Sequence, residues 1–163
     1  VKTGYDALIG RIKRILLDLE RVVSRAESLM TKAQSSGDDG YLDGVALNLH
    51  GFYPGIERVF EDVARTLEKD VPHGSGWHQD LLLQMSAEID KIRPPVIREA
   101  TRNCLDEYRG FRHVVRNVYT FNLQMSRLKE LKKGLQPCYE AVKRDLDGFI
   151  EFLRELSVEN SDK

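Results

Sequence analysis

Two cysteines, one tryptophan and five prolines in 163 residues leave several kinds of protein out of reach. Cys104 and Cys138 share no C-x-x-C spacing and are too few for a disulfide framework, so they are expected as reduced, half-buried thiols. No apolar run approaches the ~20 residues of a membrane span, so no membrane partner is expected. Val1 to Gly10 lacks the apolar stretch and small-residue cleavage site of a signal peptide, which makes a cytoplasmic location the expectation. Charge of one sign is also missing. Lys and Arg total 25 against 26 for Asp and Glu, a net charge of -1, so any site for a polyanion must be a local cluster rather than a general field. His50, His73, His78 and His113 form no H-E-x-x-H or Cys/His zinc spacing, and Gly74-Ser75-Gly76 has none of the strand–loop–helix context of a nucleotide-binding loop. No metal and no cofactor are therefore expected. His50, His73 and His78 are expected in structural or surface roles, and Trp77 as an anchor packing its loop on the body of the protein.

What the chain has is helical periodicity. Its length suits one domain, 1–163, burying roughly 68–70% of its unfolded surface, with the last few residues disordered. Leu8, Ile12, Ile15, Leu19, Val22, Ala26 and Leu29 step by four and three, beside a second row of Ile9, Leu16, Val23 and Met30, which predicts a long helix with a wide apolar face. Thr3 with Asp6 reads as a capping box at its start, and Ser35 to Gly40 ends it. The stepping resumes from Leu42 through Val45, Leu49, Phe52, Ile56, Val59 and Val63 to Leu67, with Pro54 predicting a kink near His50. A loop from Val71 to Trp77 leads to a short helix over about His78 to Ile92, stopped by Pro94-Pro95. A further helix, roughly Glu99 to Thr120, uses Cys104, Tyr108, Phe111, Val115 and Val118. After a break around Gly134 and Pro137, the row from Tyr139 to Leu156 predicts the last helix. No segment alternates with period two, and neither repeats nor low-complexity tracts occur. The expected fold is all-α, an antiparallel bundle of four long helices plus short ones.

Chemistry concentrates in Tyr108 to Asn122, YRGFRHVVRNVYTFN. At about 100° per residue, Arg109, Arg112, His113, Arg116 and Asn117 share one face, with Phe111, Val114, Val115, Val118 and Phe121 opposite. Tyr119 stands at the edge of the strip. Like charges at i and i+4, such as Arg112 and Arg116, cost a few tenths of a kcal/mol in an isolated helix, so something must offset them. Either the arginines pair with carboxylates of neighbouring helices on a solvated face, or they form a phosphate site. Arginine presents a fixed fork of donors to phosphate oxygens, and histidine can move a proton near neutral pH.

This segment resembles the signature of HEPN-domain proteins, in particular the HepT-like ribonuclease toxins, whose extended pattern is Arg-x4-His-x-Tyr with a polar residue directly after the Arg. Arg112, His113 and Tyr119 match the Arg, its polar neighbour and the Tyr, while Asn117 stands where the His is expected. The segments NLHGFYPGIERVFE, GWHQDLLLQM and DLDGFIEFL also read like this family, in the same order. The resemblance implies a HEPN-like helical bundle that dimerises, with two signatures facing across a shared cleft. It implies a toxin that cleaves RNA as a metal-independent endoribonuclease. The partner implied is a small nucleotidyltransferase of the MNT type, the antitoxin, which silences the toxin by transferring AMP to Tyr119. Asn117 can exchange hydrogen bonds but carries no proton. His113 is therefore the candidate base, with Arg112 on the scissile phosphate, Asn117 beside them and Arg109 and Arg116 holding RNA. The alternative is a non-catalytic HEPN module that docks a nucleotidyltransferase or nucleotide, its chemistry lost through Asn117.

Overall fold

The computed structural model of the chain describes residues 4–118 and 125–162, and only the backbone for 113–118. Among these residues there are five α-helices and no strand, only an isolated bridge between Ile89 and Arg93. They are α1 (Asp6–Ser36), α2 (Gly40–Val63), α3 (Trp77–Met85), α4 (Glu99–Val118) and α5 (Met125–Ser161). Four are long and one is short, as the periodicity predicts.

The apolar rows are what the helices bury. Leu8, Ile12, Leu16, Leu19, Val23 and Ala26 of α1 meet Val45, Leu49, Phe52, Ile56 and Val63 of α2, and each fully buried aliphatic side chain contributes about 1.5–3 kcal/mol. Arg11 pairs with Asp62 near one end of this contact, while a Cβ on Gly44 would stand 2.8 Å from Leu29 near the other, so α1 and α2 run antiparallel. Tyr139 donates to the carbonyl of Leu16 at 3.2 Å and Lys132 pairs with Glu27, which sets α5 antiparallel to α1. Between the first two helices Gly37 adopts φ 70°, the left-handed conformation open to glycine, and its N–H returns to the carbonyl of Ala33. Thr3 of the expected capping box lies outside the described residues. Tyr5 precedes the helix without a side-chain cap, and its N–H reaches Ser157 Oγ of α5 instead.

Helix α2 passes through Pro54 and continues into a π-helical turn over Ala64–Glu68, closed where Lys69 at φ 57° donates its N–H to the Ala64 carbonyl. The next helix is shorter than expected. Its periodic residues extend to Ile89, yet it stops at Met85, because later residues claim the carbonyls of its last turn. Val96 and Ile97 donate their N–H groups to Met85, and the buried Arg93 guanidinium donates to Gln84, Ala87 and Pro94. A local apolar period does not register such tertiary capture.

The expected break at Gly134 and Pro137 is absent, and α5 runs unbroken for 37 residues. Pro137 forfeits one helix hydrogen bond, but it and Lys133, four residues back, are exposed, where water can serve the released carbonyl. Gly134 lets α4 approach closely. A Cβ there would stand 3.3 Å from the Tyr108 hydroxyl, which donates to the Leu131 carbonyl at 2.7 Å. Burial of Leu128, Leu131, Leu135, Cys138, Val142 and Leu146 outweighs the local cost. At its other end α4 is capped from α5, where Asp145 Oδ2 accepts the N–H of Arg98 and the hydroxyl of Thr101. These contacts make α4 and α5 antiparallel and fix the face that α4 presents to α2.

Candidate active site

The polar strip of α4 meets α2 on one side. Tyr108 and Phe111 turn inward, with Tyr108 edge-on to Phe52 of α2 at 5.1 Å between ring centres. Arg109 and Arg112 therefore emerge at the margin of that contact, each half-buried. Arg109 Nε donates to Asp106 Oδ1 of its own helix at 2.7 Å. Arg112 reaches across, its Nη1 donating to Glu57 Oε1 of α2 at 3.1 Å.

Glu57 is the centre of the arrangement. Tyr53, Glu57 and Phe60 step by four and three along α2, so a carboxylate occupies the buried row of an apolar face. A buried carboxylate needs partners, and among the described residues it has two. Oε1 takes Arg112, while Oε2 lies 2.7 Å from His78 Nδ1 at the start of α3. Trp77 stacks on the His78 ring, 3.7 Å between centres and 29° between planes, and is itself half-buried against the core. The anchoring expected of Trp77 is thus present, and it holds His78 as well. One turn before Glu57, the wholly buried Tyr53 hydroxyl makes no hydrogen bond of good geometry among the described residues. Burial, and after it the negative charge of Glu57, push this phenol upward from its ordinary pKa of 10.0.

Of the residues singled out from the sequence, the structure brings Arg109 and Arg112 to this margin. His113, Arg116 and Asn117 lie on the described backbone of α4, but their side chains are outside the described residues, and Tyr119 lies outside them altogether. Sequence reasoning missed Glu57 and assigned His78 only a structural or surface role. The signal for Glu57 was available as a lone charge on an apolar row. For His78 there was none, because its pairing joins α3 to α2, 21 residues apart in sequence.

Both cysteines are free, and neither belongs to this margin. Cys104 of α4 is half-buried and its Sγ donates to the Thr101 carbonyl; the hydrogen bond to Cys104, and then burial, push the Cys138 thiol up. Among the described residues no group of three His, Cys, Asp or Glu is placed to hold a metal ion, and no helix is long and apolar enough to cross a membrane.

The arrangement can therefore do two things chemically. Its guanidiniums can hold an anion, and its imidazole, oriented by a carboxylate, can exchange a proton. A protein-family model described as HepT-like protein matches residues 44–153, a span that contains Tyr53, Glu57, His78 and the whole arginine strip. No curated protein and no solved structure matches the chain.

Proposed function

The chain belongs to the HepT-like protein family, and from that premise we propose that it is a metal-independent endoribonuclease, the toxin of a toxin–antitoxin pair. The pairing of Arg112 with a carboxylate of a neighbouring helix is what the solvated-face alternative also expects; the observation that carries the proposal is that this carboxylate, Glu57, is buried while Arg112 stays partly exposed. An arginine on a merely solvated face is expected to swing between surface carboxylates, each worth little. Arg112 is instead held through Nη1 by a buried carboxylate while its side chain stays partly exposed, so its position is set at low entropic cost. In the reaction proposed, Arg112 holds the scissile phosphate while the neighbouring 2′-hydroxyl attacks, and Arg109 and Arg116 hold the adjoining backbone. His113 takes the 2′-hydroxyl proton, and Asn117 positions the RNA by hydrogen bonds. Guanidinium and imidazole supply the charge and the proton transfer, so the mechanism calls for no metal.

A single strip is shallow, and two copies facing each other would make a cleft for an RNA backbone, so the active form proposed is a homodimer. HepT-like proteins are commonly paired with nucleotidyltransferases. The proposed antitoxin of that kind silences this chain by transferring AMP to Tyr119, placing a negative charge and a bulky nucleotide among the donors for RNA. Intact-mass measurement after co-expression should show AMP adducts that Tyr119→Phe abolishes. An inhibited protein without adduct would mean steric neutralisation instead.

The test of the activity is cleavage of a short RNA in excess EDTA. Wild-type protein should yield fragments ending in a 2′,3′-cyclic phosphate, and Arg112→Ala should slow this about 10²–10³-fold, the usual cost of one preorganised charge-stabilising donor. Asn117, in place of the family's His, favours one competing proposal, a module that binds RNA or nucleotide without cutting. Salt-sensitive RNA binding with no fragments from wild-type protein would select it.

A further inference from the structure

RNA cleavage by this route needs two proton transfers, one from the attacking 2′-hydroxyl and one to the departing 5′-oxygen. The strip on α4 supplies one imidazole, His113, and at the position where the family pattern has His it carries Asn117, which transfers no proton. The deficit is one titratable group beside Arg112.

His78 meets it. We propose that His78, set at the start of α3 on the same buried carboxylate that holds Arg112, is the general acid that protonates the leaving 5′-oxygen. This rests on the ribonuclease reading above and deepens it. Glu57 gives one oxygen to the phosphate-binding arginine and the other to His78 Nδ1, so the two groups are held on opposite sides of a single carboxylate. With Nδ1 committed to Glu57, the tautomer is fixed and Nε2 is the nitrogen that exchanges protons. Stacking on Trp77 fixes the ring plane, and the side chain is 35% exposed, open to an incoming ligand, whereas Glu57 beneath it is 6% exposed. A tie made only to join α2 to α3 would have no need of a group that remains accessible.

The step balances within the groups named. The 2′-oxygen forms its bond to phosphorus as the bond from phosphorus to the 5′-oxygen breaks. The 2′-hydroxyl proton passes to His113 and the 5′-oxygen takes the proton of His78 Nε2, leaving a 2′,3′-cyclic phosphate and a 5′-hydroxyl. Exchange of protons with water then restores both imidazoles.

The experiment compares two RNA oligonucleotides, one natural and one in which sulfur replaces the 5′-bridging oxygen at the cleaved linkage. A thiolate, whose acid has a pKa of about 8.5, leaves without protonation, so a general acid is dispensable for the sulfur substrate. His78→Ala should cut the natural RNA 10²–10⁴-fold more slowly than wild type and the sulfur RNA within a few-fold of it. His78→Gln, whose amide can still donate to Glu57, keeps the tie between α2 and α3 and should show the same contrast. Equal losses on both substrates in the two variants would make His78 a structural residue and overturn the proposal. So would undiminished cleavage of natural RNA. If wild-type protein cuts neither oligonucleotide, the ribonuclease reading itself falls, and this role with it.

Discussion

Two arginine–glutamate pairs in this protein share a chemistry and differ in everything around it. Arg93 and Glu68, 0% and 3% exposed, lie beneath the loop that follows α3, while Arg112 and Glu57, 26% and 6% exposed, lie at the margin of α2 and α4. Arg93 spends its donors on its own surroundings. Nη1 serves the carbonyls of Ala87 and Pro94, and Nη2 serves Gln84 and Glu68. Its carboxylate partner also takes the amide of Gln84. No histidine enters, and the guanidinium is sealed from solvent. At Glu57 the second oxygen goes to an imidazole rather than to an amide, and both partners remain accessible. A buried carboxylate thus does different work according to its company: with backbone carbonyls around its arginine it clamps a turn, and with a histidine at the surface it holds two groups that solvent can reach, the pair to which the proposal gives chemistry.

The largest effect expected from breaking this comparison is at Arg93. Arg93→Ala leaves the Glu68 charge buried and takes a donor away from the carbonyls of Gln84, Ala87 and Pro94, and should cost about 3–5 kcal/mol of unfolding free energy, read from the urea midpoint at constant slope. A loss below about 1 kcal/mol would show that the turn holds its shape without the clamp.

Arg112→Ala should cost less, about 1 kcal/mol, because solvent screens the pair and Glu57 keeps His78. Its main consequence should be functional, in the cleavage assay described above. If the two substitutions destabilise the protein equally, the second pair is a clamp like the first, and the site loses its distinction.

The same contrast explains what the sequence could reveal. Rows such as Leu8, Ile12 and Leu19, or Val142, Leu146 and Phe149, repeat every turn, and their burial follows from that repetition alone. The arginine strip was legible for the same reason, since it is the polar side of one helix. Where structure is made by single long-range contacts, periodicity is blind. Arg93 ends α3 four residues before its apolar row runs out at Ile89, and Tyr108 against Gly134 belongs to a continuous helix where glycine and proline predict a break. His78 is a case of the same kind, a surface histidine until the fold sets it against Glu57. Such contacts join residues 21 and 55 positions apart, and no local pattern encodes them.

The smallest effect is expected at Tyr53, and its sign is informative. The hydroxyl is buried next to Glu57 and makes no hydrogen bond of good geometry among the described residues, so removing it takes away a desolvation cost and at most a weak contact. Tyr53→Phe should leave neutral-pH stability unchanged or raise it by up to about 1 kcal/mol, whereas an ordinary buried tyrosine that donates, as Tyr108 does to Leu131, should lose stability when converted to Phe. Alkaline titration separates the cases further. Burial first, and the charge of Glu57 second, raise the folded phenol above its ordinary value of 10.0, so the unfolded chain gives up this proton before the folded one. The contribution is therefore complete below about pH 10 and is lost as pH rises beyond it, at up to about 1.4 kcal/mol per pH unit. In Tyr53→Phe that share of the slope should vanish, while the shares of Tyr108 and Tyr139, whose pKa values are raised chiefly by burial, remain. A variant that loses 1–2 kcal/mol at neutral pH would mean that the hydroxyl has a partner after all. Glu57 would then serve three groups, and its two oxygens would no longer be reserved for Arg112 and His78.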